Sequence, residues 1–165
     1  MKNRMNFNNT PIDWNKVHDV IDGSKALMLT THENPDGDGL GAECGLYYHL
    51  IEQDKEVRII NYSPLPSEYQ YLNEDNIYEY YDSESHDEWI KDIDLVIVFD
   101  VGDFMRIRTL VDVIKKYHIK TMNIDHHPHP EKNSFDYNLV DLSAAATGCM
   151  VYDYLKVAQK SDISK

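Results

Sequence analysis

The stretch ALMLTTHENPDGDGLGAECGLYYHLI, residues 26–51, decides the fold that the rest of the sequence is expected to adopt. Its apolar start, residues 26–31, predicts a β-strand, and a polar loop over residues 32–39 follows at once. Beyond the loop, apolar residues recur at helical spacing and predict a helix. The helix face expected to pack on the sheet consists of Leu40, Cys44, Tyr47, Tyr48 and Ile51. The loop then lies at the carboxyl end of a strand, where open α/β sheets bind ligands.

Strand and helix patterns alternate along most of the remaining chain. Further strands are predicted at residues 57–60, 77–80, 95–99, 119–124 and 137–140. Helices are predicted from a cap at Thr10 to Gly23, over residues 105–117 and after a cap at Ser143, with a short helix near Tyr69 and a helical turn near Trp89. This alternation predicts a three-layer α/β fold with a mostly parallel, Rossmann-like sheet and helices on both faces.

Polar residues follow three of the predicted strands, in loops 32–39, 100–103 and 125–130. Because parallel strands present their carboxyl ends at one edge of the sheet, we expect these loops to converge. The side chains brought together in this way are His32, Asp36, Asp38, Asp100, Asp125, His126 and His127.

These side chains combine imidazole nitrogens with carboxylate oxygens and include no thiolate. Such ligands suit Mn²⁺, Mg²⁺, Fe²⁺ or a catalytic Zn²⁺, and they disfavour a closed structural zinc site. Their number suggests two divalent ions, and a pair of ions needs a shared carboxylate, for which Asp100 is our choice. Asp36 and Asp38, two residues apart in a tight loop, would then serve one ion each.

Composition narrows the class of protein. A chain of 165 residues suits one domain, and its formal net charge of −13 disfavours duplex DNA as a partner. The amino terminus shows no signal peptide, and no apolar run is long enough to cross a membrane, so we expect a cytoplasmic protein. Cys44 and Cys149 form no C-x-x-C unit and are expected to be buried thiols.

The motifs His32-x-x-x-Asp36-x-Asp38, Asp100 at a strand end and Asp125-His126-His127 resemble the first three signature motifs of the DHH phosphoesterase family. The segment Ser143-Ala-Ala-Ala-Thr-Gly148 resembles the helix start found after the third motif in the branch of oligoribonucleases and 3′-phosphoadenosine 5′-phosphate phosphatases. The resemblance covers roughly residues 14–158.

The resemblance implies a role for each motif residue. One Mn²⁺ would be held by His32, Asp36 and Asp100, and a second by Asp38, Asp100 and His126. His127 would contact the scissile phosphate or assist the departing oxygen, and Asp125 would orient an imidazole. A water activated by the two metal ions would attack phosphorus in a small nucleotide substrate, such as a short single-stranded oligoribonucleotide or 3′-phosphoadenosine 5′-phosphate.

The sequence departs from the family pattern near its end. Family members usually carry a fourth motif, an aspartate ligand of the second metal, followed by a basic substrate-binding domain. Only Asp153 and Asp162 follow the Ser143–Gly148 segment, and neither has that setting. We therefore interpret residues 1–165 as the N-terminal catalytic domain of the family, without its C-terminal domain. A homodimer is a further expectation.

Several alternatives stay open from the sequence. The chain could be a non-catalytic or truncated binding module, or an exopolyphosphatase or cyclic-dinucleotide phosphodiesterase of the same family. Gly37, Gly39 and Ala42 also match a weak dinucleotide-binding pattern. His129 could line the substrate pocket or belong to a proline-bounded turn, and the tyrosines of residues 69–81 could stack bases. The remaining histidines are expected on the surface or on helix sides, namely His18, His49, His86 and His118.

Overall fold

The computed structural model describes residues 5–6, 11–130 and 134–159. Its strands are β1 (Met5–Asn6), β2 (Ala26–Thr31), β3 (Glu56–Asn61), β4 (Tyr78–Tyr80), β5 (Leu95–Phe99), β6 (Lys120–Asp125) and β7 (Tyr137–Val140). Its α-helices are α1 (Trp14–Asp22), α2 (Gly37–Ile51), α3 (Ser83–Ile90), α4 (Leu110–Tyr117) and α5 (Thr147–Ala158). Two 3₁₀ helices, Ser67–Asn73 and Phe104–Ile107, complete the regular structure of the described part.

The strands form one seven-stranded sheet in the order β1-β7-β6-β5-β2-β3-β4. Every neighbouring pair is parallel, which confirms the predicted α/β class. After β2 the chain adds β3 and β4 on one side, and it then returns to place β5 on the other side of β2. The order of strands therefore reverses between β2 and β5, which is where open α/β sheets form a ligand crevice.

Helices cover both faces of the sheet because the central strands are apolar on both sides. Along β5, Leu95, Ile97 and Phe99 belong to the core beneath α1, α2 and α5. Val96 and Val98, the alternate residues, belong to the core beneath α3 and α4. Five consecutive buried residues in β5 fit a strand with no solvated face, as the apolar run predicts. The three-layer arrangement follows from these two cores.

The buried face of α2 differs from the predicted one. Tyr48 and Ile51 are exposed, and Cys44 is half-buried. The residues that α2 does bury are Gly39, Leu40, Ala42, Glu43, Leu46, His49 and Leu50. The helix is apolar on most sides, so its hydrophobic period could not identify the face that meets the sheet.

Several predicted helix boundaries are wrong. Asp13 caps α1 by accepting from the Lys16 backbone N–H, and Thr10 lies outside the described residues. Gly23 ends α1 as predicted. The predicted helix over 105–117 is divided at Arg108, whose φ of 55° ends the 3₁₀ helix before α4 begins. Ser143 bonds Asp141 instead of capping the last helix, which begins four residues later.

Burial also corrects three expectations for single side chains. His49 and His86, expected at the surface or on a helix side, are both buried. Cys149, expected to be buried, is exposed. Within the described ranges, no helix combines the length and the apolar composition that a transmembrane span requires.

Candidate metal centre

The adjacent strands β2, β5 and β6 end at the same level of the sheet, and the first residues of the site lie at their carboxyl ends. Thr31 of β2 pairs with Phe99 of β5, and Phe99 pairs with Ile124 of β6. The next residues along these strands are His32, Asp100 and Asp125, so the register itself places an imidazole and two carboxylates side by side. All three residues are buried.

The first group of potential ligands consists of His32, Asp36 and Asp100. His32 Nε2 lies 3.5 Å from Asp100 Oδ2 and 3.9 Å from Asp36 Oδ2. His32 Nδ1 lies 2.7 Å from the Glu33 carbonyl, so the Nδ1 proton is donated there. The neutral ring then turns the lone pair of Nε2 toward two carboxylate oxygens. A positive charge stabilises such an arrangement, and either a bound cation or a proton on Nε2 can supply it. The proton would form a hydrogen bond with Asp100, and this bond raises the pKa of His32.

The second group consists of Asp100, His126 and His127. His126 repeats the arrangement of His32, because its Nδ1 lies 3.3 Å from the Ala144 carbonyl. His126 Nε2 is 3.5 Å from Asp100 Oδ1 and 3.5 Å from Asp38 Oδ2. The Nε2 atoms of His32 and His126 thus face different oxygens of the Asp100 carboxylate. The Nδ1 atom of each ring contacts a backbone carbonyl.

Asp100 is the residue common to both groups. Its backbone has a φ of 59°, a left-handed conformation that non-glycine residues seldom adopt. Its Oδ2 faces His32, and its Oδ1 faces His126, His127 and the Thr147 hydroxyl, which is 3.3 Å away. Burial favours a raised pKa for Asp100, but the hydrogen bond from His32 and the charge of His127 lower its pKa overall. An ionised carboxylate with one oxygen toward each group suits a shared ligand of two cations.

Asp36 and Asp38 differ in their surroundings. Asp36 caps α2, and its Oδ1 accepts hydrogen bonds from the backbone N–H groups of Asp38 and Gly39. Its other oxygen faces His32. The sequence patterns placed Asp38 in a loop, but in the structure it lies in the first turn of α2. Because the Asp36 carboxylate occupies the amino end of α2, the end that a dinucleotide pyrophosphate would use is already filled.

The Asp38 carboxylate reaches across to the amino end of α5. Its two oxygens accept from the Thr147 and Gly148 backbone N–H groups, each at 2.8 Å. Ala146 precedes α5 and supplies no side-chain cap of its own. Asp38 therefore caps a helix 109 residues later in the chain while its Oδ2 stays 3.5 Å from His126.

Asp125 lies beneath the site and is inaccessible to solvent. Its Oδ1 accepts from the His126 backbone N–H at 2.8 Å and from His127 Nδ1 at 2.9 Å. Its Oδ2 accepts from His129 Nε2 at 2.7 Å. Burial opposes ionisation, but the hydrogen bonds from His129 and His127 lower the pKa of Asp125. The side chain of His127 is 47% exposed and that of His129 only 3%.

The structure therefore brings all the predicted site residues to one edge of the sheet, although their individual roles stay predictions. Sequence reasoning missed Thr147, a buried residue whose hydroxyl bonds Asp100 and whose amide bonds Asp38. Its place in the Ser143–Gly148 segment was the available signal. Tyr69 belongs to the tyrosines considered for base stacking, and its ring packs 3.2 Å from the position that a Gly37 Cβ would take, a contact that no sequence pattern indicated.

The donor set fits a pair of divalent cations. It contains imidazole nitrogens and carboxylate oxygens, which Mn²⁺, Fe²⁺ and Zn²⁺ accept. His32 Nε2 and His126 Nε2 each lie 3.5 Å from an oxygen of Asp100, and in the neutral rings with Nδ1 protonated their lone pairs would face this carboxylate, an arrangement that a cation would stabilise. The chemistry of the donors therefore agrees with a metal centre at this edge.

Comparison with known proteins identifies relatives of the chain. Residues 26–165 match the family described as DHH family, N-terminal domain. The bifunctional oligoribonuclease and PAP phosphatase NrnA of Mycoplasma genitalium is 28% identical over 142 residues. The matched region covers 81% of this chain and 40% of that relative, so the chain spans well under half the relative's length.

Solved structures show the same fold. An exopolyphosphatase-related protein from Bacteroides fragilis superposes with a TM-score of 0.80 at 22% identity, covering 88% of this chain and 43% of that one. RecJ from Thermus thermophilus, solved in complex with Mn²⁺, gives a TM-score of 0.58 at 12% identity, covering 95% of this chain and 22% of that one. The two superpositions show a shared fold, and at such low sequence identities they show the fold alone.

Proposed function

Because the chain belongs to the DHH family of phosphoesterases, we propose that it is the catalytic part of a Mn²⁺-dependent enzyme that hydrolyses phosphate esters of small nucleotides. The observation that carries this proposal is the environment of Asp100. Two imidazoles, His32 and His126, point Nε2 at its opposite oxygens.

The proposed ligand sets follow the order of the motifs. His32, Asp36 and Asp100 would hold one ion, and Asp38, Asp100 and His126 would hold the second. Bound together, two divalent ions supply an activated water for in-line attack on phosphorus and neutralise charge on the phosphate oxygens. In the neutral rings, the carbonyls of Glu33 and Ala144 hold the proton on Nδ1 of His32 and His126, and this leaves both Nε2 atoms as the nitrogens that would bind metal.

His127 is the proposed contact to the reacting phosphate. Its half-exposed ring can reach a ligand outside the fold, whereas its Nδ1 is held by the buried Asp125 carboxylate. With Nδ1 donating to Asp125, Nε2 is the atom left, and it would need to carry a second proton to hydrogen-bond a phosphate oxygen or to protonate the departing oxygen. Asp125 acts in this scheme by fixing the direction of the ring.

Small nucleotides are the proposed substrates, with short oligoribonucleotides and 3′-phosphoadenosine 5′-phosphate as the leading candidates. The activity for which the Mycoplasma relative is named supports this class. The net charge of −13 disfavours long duplexes. Tyr69 is half-buried against Gly37, between the two candidate ligands of α2, and offers an aromatic surface beside the metal centre.

An exopolyphosphatase activity is the second candidate. The observation that favours it is the similarity to an exopolyphosphatase-related protein at a TM-score of 0.80. Both activities need the same metal centre, so they differ only in the substrate. A direct comparison of polyphosphate with the two nucleotide substrates separates them.

The test measures hydrolysis and metal binding on the same samples. Hydrolysis of a short oligoribonucleotide and of 3′-phosphoadenosine 5′-phosphate should require Mn²⁺, stop with EDTA and return when Mn²⁺ is restored. Asp100→Ala should abolish hydrolysis and weaken Mn²⁺ binding measured by calorimetry, whereas Asp112→Asn, a change on the exposed side of α4, should alter neither.

Two results would contradict the proposal. Full hydrolysis by Asp100→Ala, or hydrolysis that is indifferent to EDTA, would exclude this metal centre as the catalytic site. Mn²⁺ binding without hydrolysis of any of the three substrates would instead favour a binding module.

A further inference from the structure

His129 is a buried imidazole that the proposed reaction does not use. Its side chain is 3% exposed, and its ring packs edge-on against Phe135, with 6.4 Å between ring centroids. Pro128 and Pro130 flank it, so two fixed φ angles restrict the backbone at this point. A ring enclosed in this way presents no face to a substrate, so burial favours the proline-bounded turn over the substrate pocket, the two alternatives that the sequence left open for His129.

The only charged group that His129 contacts within the described ranges is Asp125. His129 Nε2 lies 2.7 Å from Asp125 Oδ2, and Asp125 accepts but does not donate when ionised. His129 therefore carries its proton on Nε2. The opposite oxygen, Oδ1, accepts from His127 Nδ1 at 2.9 Å. A chain of hydrogen bonds thus runs from a half-exposed imidazole through an inaccessible carboxylate to a buried imidazole.

The geometry points to His129 as a positioning residue for His127, and this inference rests on the proposed function. A carboxylate rotates readily about its last side-chain torsion, because that torsion has broad energy wells. Hydrogen bonds at both oxygens remove this freedom. With Oδ2 held by His129, Asp125 keeps Oδ1 in line with His127 Nδ1, and the His127 ring keeps the direction in which Nε2 meets the phosphate.

A purely structural role predicts a different result from a positioning role. Loss of a buried hydrogen bond lowers the stability of any folded protein, wherever it lies. Loss of the direction of His127 lowers kcat and leaves substrate binding nearly intact, since the interaction is needed most in the transition state. The variant series must therefore separate kcat from KM and from stability.

His129→Leu removes the donor, whereas His129→Gln retains an N–H at similar reach from the backbone. We expect His129→Leu to lower kcat about 10- to 100-fold with KM and Mn²⁺ affinity within about threefold of the wild type. His129→Gln should recover most of kcat.

His86→Leu is the matched control. His86 is also buried, and its Nε2 lies 3.2 Å from the carboxylate of Glu79 in β4, the edge strand that β3 separates from β2. This variant should lose stability and keep kcat. The inference is wrong if His129→Leu retains wild-type kcat, if His129→Gln is as slow as His129→Leu, or if His86→Leu lowers kcat equally.

A second measurement keeps the inference testable if the wild type hydrolyses nothing, an outcome that would count against the proposed function alone. In the metal-free protein, nitrogen-15 shifts of the His127 ring should show a single tautomer protonated on Nδ1 at pH 7.5. In His129→Leu both tautomers should be present. A single Nδ1-protonated tautomer in His129→Leu would overturn the positioning role.

Discussion

Glu43 and Asp125 are both inaccessible to solvent, but they lie in different parts of the molecule and have different partners. Glu43, from α2, accepts one hydrogen bond, from Asn61 Nδ2 at 3.0 Å, and its Oε1 has no partner among the described residues. Burial raises the pKa of Glu43 well above its usual value. Asp125, below the candidate metal centre, accepts three hydrogen bonds, and its pKa is lowered.

The difference teaches that burial alone does not decide whether a carboxyl group is charged. Desolvation acts on both groups, but only Asp125 has enough donors to outweigh it. The hydrogen bonds therefore favour the charged form of Asp125 beside the imidazoles, whereas burial favours the neutral form of Glu43 where α2 packs on β3. The charge pattern, rather than burial, therefore distinguishes the candidate site from the rest of the polar interior.

The largest expected effect follows from removing the charged member of this pair. Asp125→Leu leaves the buried N–H groups of His127 and His129 without an acceptor and should lower the free energy of unfolding by about 3 kcal/mol in urea titrations at pH 7. The lowered pKa means that the contribution of Asp125 is complete above its usual value of 3.8 and is lost as pH falls through the folded-state pKa. A loss below about 1 kcal/mol would show that the hydrogen bonds carry little stability.

A smaller loss is expected where Gly39 of α2 packs against Thr31 of β2. A Cβ at Gly39 would lie 2.2 Å from Thr31 Oγ1, so Gly39→Ala must push α2 away from β2. We expect a loss of roughly 2 kcal/mol from overpacking. Gly41→Ala is the control, since a Cβ there meets nothing within 4 Å and should raise stability by about 0.5–1 kcal/mol. Equal effects of the two substitutions would contradict the close contact.

Glu43→Gln should stabilise the protein at pH 8 by roughly 1–2 kcal/mol, because it removes an acid that must not ionise in the core. The raised pKa fixes the sign. Glu43 favours folding fully below its usual pKa of 4.5, and this contribution is lost as pH rises through the folded-state value. Thermal unfolding of the two proteins should therefore agree near pH 4 and diverge on going to pH 8. A constant offset across this range would contradict the raised pKa.

The smallest effect concerns an exposed carboxylate at the opposite edge of the sheet. Asp94 Oδ2 accepts from the backbone N–H groups of Lys25 and Ala26 at 2.7 and 3.1 Å, and these bonds lower its pKa. Asp94→Ala should cost about 1 kcal/mol and leave hydrolysis unchanged. Asp92→Ala, the neighbouring exposed control, should change stability by less than about 0.5 kcal/mol. If Asp94→Ala lowered the free energy of unfolding by about 3 kcal/mol, as expected for the buried Asp125, solvent exposure would not weaken the hydrogen bonds of a carboxylate as we expect.

Much of the fold could be predicted because the central strands are short apolar runs. The bounds of β2, β5 and β7 agree with the sequence patterns. In β5 the agreement follows because a strand buried on both faces needs continuous apolar residues. The convergence of His32, Asp100 and Asp125 followed from parallel strands alone. What made these features predictable is that each depends on residues adjacent in sequence.

The features that could not be predicted depend on partners distant in sequence. No local pattern indicates that Asp38 caps α5 or that Asn61 gives Glu43 a hydrogen bond. His49 was expected at the surface or on a helix side because no other candidate ligand residues accompany it in the sequence, yet it is buried and packs against Tyr154 of α5. Tertiary contacts decide such positions, and a single sequence does not record them.

The Asp38 cap has a consequence for how the protein matures during synthesis. The donors of the site emerge from the ribosome between residues 32 and 127, but the amides that hold Asp38 belong to residues 147 and 148. A nascent chain that has exposed only the residues up to the end of β7 holds every imidazole of the site and lacks the helix that orders this aspartate. The ordered position of Asp38 beside His126 is thereby deferred until the last described helix docks.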